Sequence, residues 1–195
     1  MQLAHNTRHI LSAIVLGLMA SGAMAMTSAE HSAAKKQIST DYKAAKEQCK
    51  ALSANAKDVC EKEASGREKI AKAELEALRE PTAKHLYKAR TVKADAEYEV
   101  NKEKCDDLSG NPKDVCKKDA KAAHTHALEA AKVDKVKAEP AKNAEAKAAD
   151  VAEARKDAAA ENREADYKAV KERCEALSGD AKDACISDAK RKFGQ

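Results

Sequence analysis

Y-E-V-N-K-E-K-C-D-D-L-S-G-N-P-K-D-V-C, the stretch from Tyr98 to Cys116, occurs in three versions along this 195-residue chain. The other two run from Tyr42 to Cys60 and from Tyr167 to Cys185. All six cysteines lie in these copies, and the two cysteines of each copy are eleven positions apart. The copies therefore define one repeated unit, around which the rest of the chain is organised.

Each copy has the pattern of a helix, a tight turn and a second helix. In the first arm of each copy, the cysteine lies seven residues after the tyrosine, and the leucine lies three residues after the cysteine. Residues at these spacings lie on one face of a helix. We expect the aromatic and leucine side chains to pack against the opposite arm. These predicted packing residues are Tyr42, Leu52, Tyr98, Leu108, Tyr167 and Leu177.

The turn between the arms carries the residues that end one helix and begin another. Gly110 suits a left-handed residue just past a helix end, and Asn111 suits the N-cap of the next helix. Asp114 then places a carboxylate near the positive end of that helix. The equivalent predicted turn and cap residues are Asn55, Asp58, Gly179, Asp180 and Asp183. The first copy has Ala54 in place of glycine, so we expect its turn to differ in detail.

The cysteines become the first facing pair when the two arms fold antiparallel. Six cysteines allow fifteen pairings in principle, but the repeat favours one. We therefore predict the disulfides Cys49–Cys60, Cys105–Cys116 and Cys174–Cys185. Two alternatives stay open at this point: a redox site, which normally uses C-x-x-C, and a zinc site, which normally mixes cysteine and histidine at short spacing.

The first 25 residues have the pattern of a secretory signal peptide. Arg8 is their only formal charge, residues 10–20 are apolar, and Ala23-Met24-Ala25 resembles a cleavage site. The apolar run is too short to cross a bilayer, so we expect no stable membrane span after cleavage. Export to the periplasm also agrees with the cysteine content, because disulfides persist in oxidising compartments.

The remaining sequence is rich in alanine and in charged residues of both signs. Charged residues make up 36% of the chain, aromatic residues 3%, and the formal net charge is +4. The signs alternate finely, which is typical of solvated helix surfaces and not of a nucleic-acid-binding patch. His124 and His126 could suggest a metal, but residues two apart on a helix point away from each other. We predict no catalytic residues, no metal and no cofactor, and therefore no enzyme.

Two prolines and the repeats divide the chain, which we predict to be all-α. The predicted structure is three disulfide-stapled antiparallel helical hairpins joined by long Ala/Lys/Glu-rich helices, either elongated or as a slender bundle. The predicted segments are a flexible N-terminus at 26–35, hairpin units at 36–80, 82–139 and 166–195, and an exposed helical spacer at 141–165, with breaks at Pro81 and Pro140.

The repeat resembles a motif of small exported proteins of Gram-negative bacteria, Y-K-x-x-K-E-x-C-x-x-L-S-G-x-x-K-D-x-C. The stretch D-Y-K-A-V-K-E-R-C-E-A-L-S-G-D-A-K-D-A-C at 166–185 is close to that form. Such proteins are often described as similar to the cell-envelope protein TolA, whose long middle domain shares the Ala/Lys/Glu-rich composition. The resemblance implies an envelope protein. The chain departs from TolA in lacking a retained membrane anchor and a recognisable globular C-terminal domain, so the resemblance leaves open whether the outer-membrane role of TolA applies.

These observations predict a non-enzymatic periplasmic protein that acts as a spacer or interaction module, with unidentified envelope proteins as partners. One alternative is a stress-related holdase that offers its alanine and leucine seam to unfolded proteins. Another is a metal or redox module that uses the cysteine pairs.

Overall fold

The computed structural model describes residues 26–195, and in this part of the chain the fold is all-α, as the sequence predicts. The signal peptide predicted over residues 1–25 lies outside the described residues. The six α-helices of the described part are α1 (Ser28–Cys49), α2 (Ala54–Arg79), α3 (Ala83–Lys104), α4 (Gly110–Ala138), α5 (Ala144–Cys174) and α6 (Gly179–Phe193). A short 3-10 helix, Cys105–Asp107, lies between α3 and α4.

The helices pack against one another in chain order. Substantial contacts join α1 to α2, α2 to α3, α3 to α4, α4 to α5 and α5 to α6. Because short connections make neighbouring helices antiparallel, the turns alternate between the two ends of the bundle. The three cysteine-containing turns therefore lie at one end, and the two turns at Pro81 and Pro140 lie at the other.

The core is a thin seam of alanine. Most of its fully or nearly buried side chains belong to alanine, with few large residues among them, such as Leu75 and Val133. Small side chains let helix backbones approach closely, and one such close approach lies between α2 and α3. A Cβ placed on Gly66 would lie 3.1 Å from the Cβ of Ala96. Packing at this distance leaves little free volume for a larger side chain.

Helix α1 begins earlier than the sequence predicts. Residues 26–35 were expected to be flexible, but the helix starts at Ser28 because Thr27 and Glu30 form a capping box. Thr27 accepts a hydrogen bond from the Glu30 backbone, and the Glu30 side chain accepts one from the Thr27 backbone at 2.8 Å. His31 is buried and bonds to Glu76 of α2 at 3.0 Å. The predicted flexible segment is therefore wrong.

The helix predicted over 141–165 is present from Ala144 onward, but it is not an exposed spacer. Most of it belongs to α5, which packs along α4 and buries Ala158. Lys147 of α5 donates to the carbonyl oxygens of Val136 and Glu139 at the end of α4, which satisfies acceptors that the helix itself cannot. The low apolar content of residues 141–165 suggested an exposed segment, but alanine alone suffices for close helix packing.

Both predicted proline breaks are present. Helix α2 ends before Pro81 and α4 ends before Pro140. The next helices start from side-chain caps, Thr82 accepting from the backbone of His85 and Asn143 from that of Ala146. Among residues 26–195, no helix has the length and apolar character needed to cross a membrane.

Candidate functional site

The strongest candidate site is the end of the bundle that carries the three disulfides. We call these turns elbow 1 (residues 49–60), elbow 2 (105–116) and elbow 3 (174–185). Each elbow holds the disulfide predicted from the repeat, with Cα–Cα distances of 5.5, 5.6 and 5.7 Å. These distances lie in the range that an unstrained disulfide needs. No free cysteine remains among the described residues.

The first cysteine of each pair is completely buried. Cys49, Cys105 and Cys174 have no exposed surface, and they are the largest fully buried side chains of the described chain. Each elbow thus has a small core of its own, made by the disulfide. A buried thiolate nucleophile needs access to its substrate, so this arrangement favours a structural disulfide over a reactive one.

The backbone follows the same path in all three elbows. A leucine N–H donates to the carbonyl of the first cysteine at 3.0–3.1 Å in each elbow. The left-handed residue that follows is Gly110 in elbow 2 and Gly179 in elbow 3, with φ of 59° and 55°. Ala54 takes the same conformation with φ of 49°, so elbow 1 has this feature despite its side chain. The left-handed glycines are confirmed, and the expected difference of elbow 1 is absent at this position.

The elbow leucines do not belong to the packed face on which the sequence places them. Leu52, Leu108 and Leu177 are 44%, 43% and 44% exposed. The α-helical arm ends before each of them, with α1 ending at Cys49 and α5 at Cys174, so the helical spacing no longer applies. The prediction that these leucines are packed residues is therefore wrong.

The asparagines of the elbows are not N-caps. The helices start before them, at Ala54 and Gly110. Asn55 instead donates from Nδ2 to the carbonyl of Glu103 at 3.1 Å, and Asn111 donates to the carbonyl of Glu172 at 3.0 Å. Each bond joins one elbow to the arm that leads into the next elbow. The sequence offered no signal for this role, because the paired residues are 48 and 61 positions apart.

The aspartates predicted to follow the caps lie two positions further into their helices than expected. Asp58 and Asp114 fall outside the first turns of α2 and α4, which contain no acidic residue. Asp183 likewise follows Asp180, which occupies the first turn of α6. Each helix begins earlier than the sequence predicts because the left-handed residue is already its first residue.

The three repeated tyrosines are similarly buried, and one of them stacks on a histidine. All three are half-buried, as a packing role requires. Tyr98 of α3 stacks on His124 of α4 with ring centroids 4.6 Å apart, and His124 in turn bonds to Asp95 at 2.7 Å. The neighbouring His126 bonds instead to Asp166 of α5 at 2.8 Å. Residues 26–195 contain no cluster of three or more metal-ligating side chains.

Ion pairs cross each elbow. Lys113 and Lys117 both lie 2.9 Å from Asp106 and lower the pKa of that carboxyl to about 2. In elbow 3 the hydrogen bond from Lys182, at 2.6 Å, lowers the pKa of Glu175.

Elbow 1 uses a different pair of residues. The hydrogen bond between Lys46 and Glu61, at 2.9 Å, raises the pKa of the lysine and lowers that of the glutamate. Each hairpin unit thus has at least one ion pair between its two arms at or beside the elbow.

Comparison of the chain with models of protein families, with curated proteins and with solved structures found no match. The elbow geometry and the helix packing are thus the observations from which a function can be inferred.

Proposed function

We propose that the protein is a non-enzymatic structural and interaction protein of the bacterial cell envelope, in which a periplasmic array of helices acts as a spacer. The observation that carries the proposal is the linked row of elbows. Each elbow is closed by a disulfide, and asparagine side chains tie elbow 1 to α3 and elbow 2 to α5. A spacer needs such fixed relative positions of its units.

The disulfides support export. Three disulfides in a chain of this kind are typical of an oxidising compartment. The repeat's resemblance to exported envelope proteins of Gram-negative bacteria agrees with a periplasmic site. The signal-peptide pattern in residues 1–25 points the same way.

The cleft between elbow 2 and α5 supports a non-enzymatic role. A cleft of about 550 Å³ lies between elbow 2 and α5, and charged residues dominate its walls, such as Asp114, Lys118 and Lys168. Sites for small ligands are usually lined by apolar and aromatic side chains around a few placed polar groups. Charged, solvated walls of this kind are typical of helix surfaces.

The exposed apolar side chains favour the spacer over a holdase. The large apolar residues that are exposed in the described chain are all leucines. They lie at the elbows and beside the Pro81 turn: Leu52, Leu78, Leu86, Leu108 and Leu177. A holdase needs a contiguous apolar surface, whereas single exposed leucines are normal on any soluble protein surface.

Two measurements on the expressed full-length chain test the proposal. Cell fractionation followed by thiol alkylation and mass spectrometry should find the protein in the periplasm with all cysteines oxidised. Photo-crosslinkers placed at Leu108, at the elbow end, and at Leu78, at the proline-turn end, should each capture an envelope component, because a spacer engages at both ends. A crosslinker at the exposed mid-helix residue Lys156 is the control. Cytoplasmic protein with free thiols, or equal capture at the control position, would refute the proposal.

A further inference from the structure

The interfaces between successive units repeat the same hydrogen bond. Asn55 reaches the carbonyl of Glu103, and Asn111 reaches that of Glu172, at 3.1 and 3.0 Å. Both asparagines stand six positions after the first cysteine of their elbow, and both carbonyls stand two positions before the first cysteine of the next. Numbering the hairpin units 1 (36–80), 2 (82–139) and 3 (166–195), unit 1 is bonded to unit 2 in the same way that unit 2 is bonded to unit 3.

A repeated ion pair accompanies this bond. Glu63 lies 3.1 Å from Lys104, and Asp119 lies 2.5 Å from Arg173. Each acid stands three positions after the second cysteine of its elbow, and each base directly precedes the first cysteine of the next. Exposed pairs of this kind contribute little stability, but they fix the register of neighbouring helices.

A small buried residue completes the interface. Gly66 of α2 faces Ala96 of α3, and Ala122 holds the equivalent position in α4. Both are buried. A large side chain at this position would hold the next helix away.

The third unit lacks the asparagine and the small residue, and its acid, Asp188, is paired within its own helix. Asp180 stands where the other units have asparagine, and a carboxylate cannot donate a hydrogen bond to a carbonyl. Arg191 stands at the position of the small residue, and its side chain is 78% exposed. Arg191 also binds Asp188, at 2.7 Å, the acid that would otherwise face a following unit. Two interface positions of α6 are thus changed, and the third is held by one of the changed residues.

Helix α1 still resembles an arm that accepts a preceding unit. Ala44 is exposed, whereas the equivalent residues Val100 and Ala169 are half-buried and buried. The Glu47 carbonyl is equivalent to those that accept from asparagine in the later units. Two departures are Gln48, which replaces Lys104 and Arg173, and Thr40, which stands at the position of Ala96. Because elbows 1 and 2 are occupied within the chain, only elbow 3 of a second copy is left to reach this surface.

We infer that α6 is a terminal cap, which prevents a second copy of this chain from extending the array by packing α6 against its α1. The cap consists of Asp180, Arg191 and the Asp188–Arg191 pair. A contact between α6 of one copy and α1 of the next would be heterologous, and such contacts continue into open chains of molecules. Terminal units with a polar outer face stop this growth in repeat proteins. The inference does not depend on the proposed function in the envelope.

The test gives the third unit the interface residues of the other two. The variant Asp180→Asn, Arg191→Ala, Gln48→Arg is compared with the wild-type chain by light scattering and sedimentation, from dilute solution to about 1 mM. The wild type should keep the mass of one chain. The average mass of the variant should rise with concentration, to about twice that of one chain or more, without stopping at a dimer.

A matched control carries the same types of substitution on surfaces away from both ends of the array. It combines Asp157→Asn, Arg155→Ala and Ala152→Arg, which make the same changes of charge at exposed positions of α5. Circular dichroism checks that every variant keeps the wild-type helix content. Lysine crosslinking between isotope-labelled and unlabelled copies should join α6 of one copy to α1 of another.

Three results would overturn the inference. The first is a wild-type chain that already forms head-to-tail assemblies. The second is a folded triple variant that keeps the mass of one chain up to about 1 mM. The third is association of the variant and the control to the same extent, which would show a general effect of charge.

Discussion

Removing the disulfide of elbow 2 should destabilise the protein by about 4 kcal/mol. The double variant Cys105→Ala, Cys116→Ala avoids a free thiol. The cross-link joins residues eleven positions apart, and closing a loop of that length removes about 2.8 kcal/mol of chain entropy from the unfolded state. Cys105 has no exposed surface, so the loss of its sulfur should cost about 1 kcal/mol more. This sum is a large part of the roughly 5–15 kcal/mol by which small proteins are stable.

The assay is urea unfolding followed by far-UV circular dichroism, with the free energy extrapolated linearly to water. The variant Cys174→Ala, Cys185→Ala is the matched comparison, because its cysteines have the same separation and Cys174 is equally buried. The two variants should lose similar amounts if the disulfide acts mainly on the unfolded chain.

Comparing the losses of free energy at elbows 2 and 3 also tests whether a disulfide supports the contacts between units. Elbow 2 contacts a unit on each side, through Asn55–Glu103 and Asn111–Glu172, whereas elbow 3 contacts one neighbouring unit among the described residues, through Asn111–Glu172. A larger loss at elbow 2 would therefore mean that the disulfide also supports the contacts between units. A loss below about 1 kcal/mol in both variants would refute the reasoning, because the elbows would then be stable without their cross-links.

The remaining predictions concern the interfaces and the charges. Asn111→Asp should cost about 1–2 kcal/mol, since it removes a donor to a carbonyl, whereas the reciprocal Asp180→Asn should change the free energy of unfolding by less than about 0.5 kcal/mol; urea unfolding of both variants checks this. Gly66→Val should cost about 1–3 kcal/mol by overpacking against Ala96, and a melting temperature equal to that of the wild type would contradict it. The pKa of Asp106 falls from 3.8 to about 2 on folding, so its contribution is complete above about pH 4 and lost as the pH falls through about 2. Asp106→Asn should therefore reduce the loss in free energy of unfolding between those two pH values. A variant that loses as much free energy as the wild type would argue against the two lysine contacts.

Local patterns were sufficient to predict the elbows. The spacing of the cysteines, the left-handed Gly110 and Gly179 and the breaks at Pro81 and Pro140 all depend on residues close together in the chain. Capping signals are local too, and the Thr27 capping box could have been found from T-S-A-E. These features reflect backbone conformation and covalent bonding over short distances, which the sequence expresses directly.

The errors of prediction arose where a residue's role depends on a distant neighbour. Leu52 and Leu177 were placed on a packed stripe, but the helix ends before them and leaves them exposed. Asparagine is a common N-cap residue, yet the side chain of Asn111 donates a hydrogen bond to the Glu172 carbonyl in another unit. Residues 141–165 carry too little apolar surface to predict packing, and only the adjacent α4 shows that alanine is enough.

The sequence by itself therefore determined the helices, the breaks between them and the pairing of the cysteines, because each depends on residues within a few turns of one another. Only the tertiary structure decided which helix faces meet and how one elbow is tied to the next. Those contacts join residues about fifty or sixty positions apart, such as Asn55 with Glu103, and they exist only once the packed alanine seam brings the arms together.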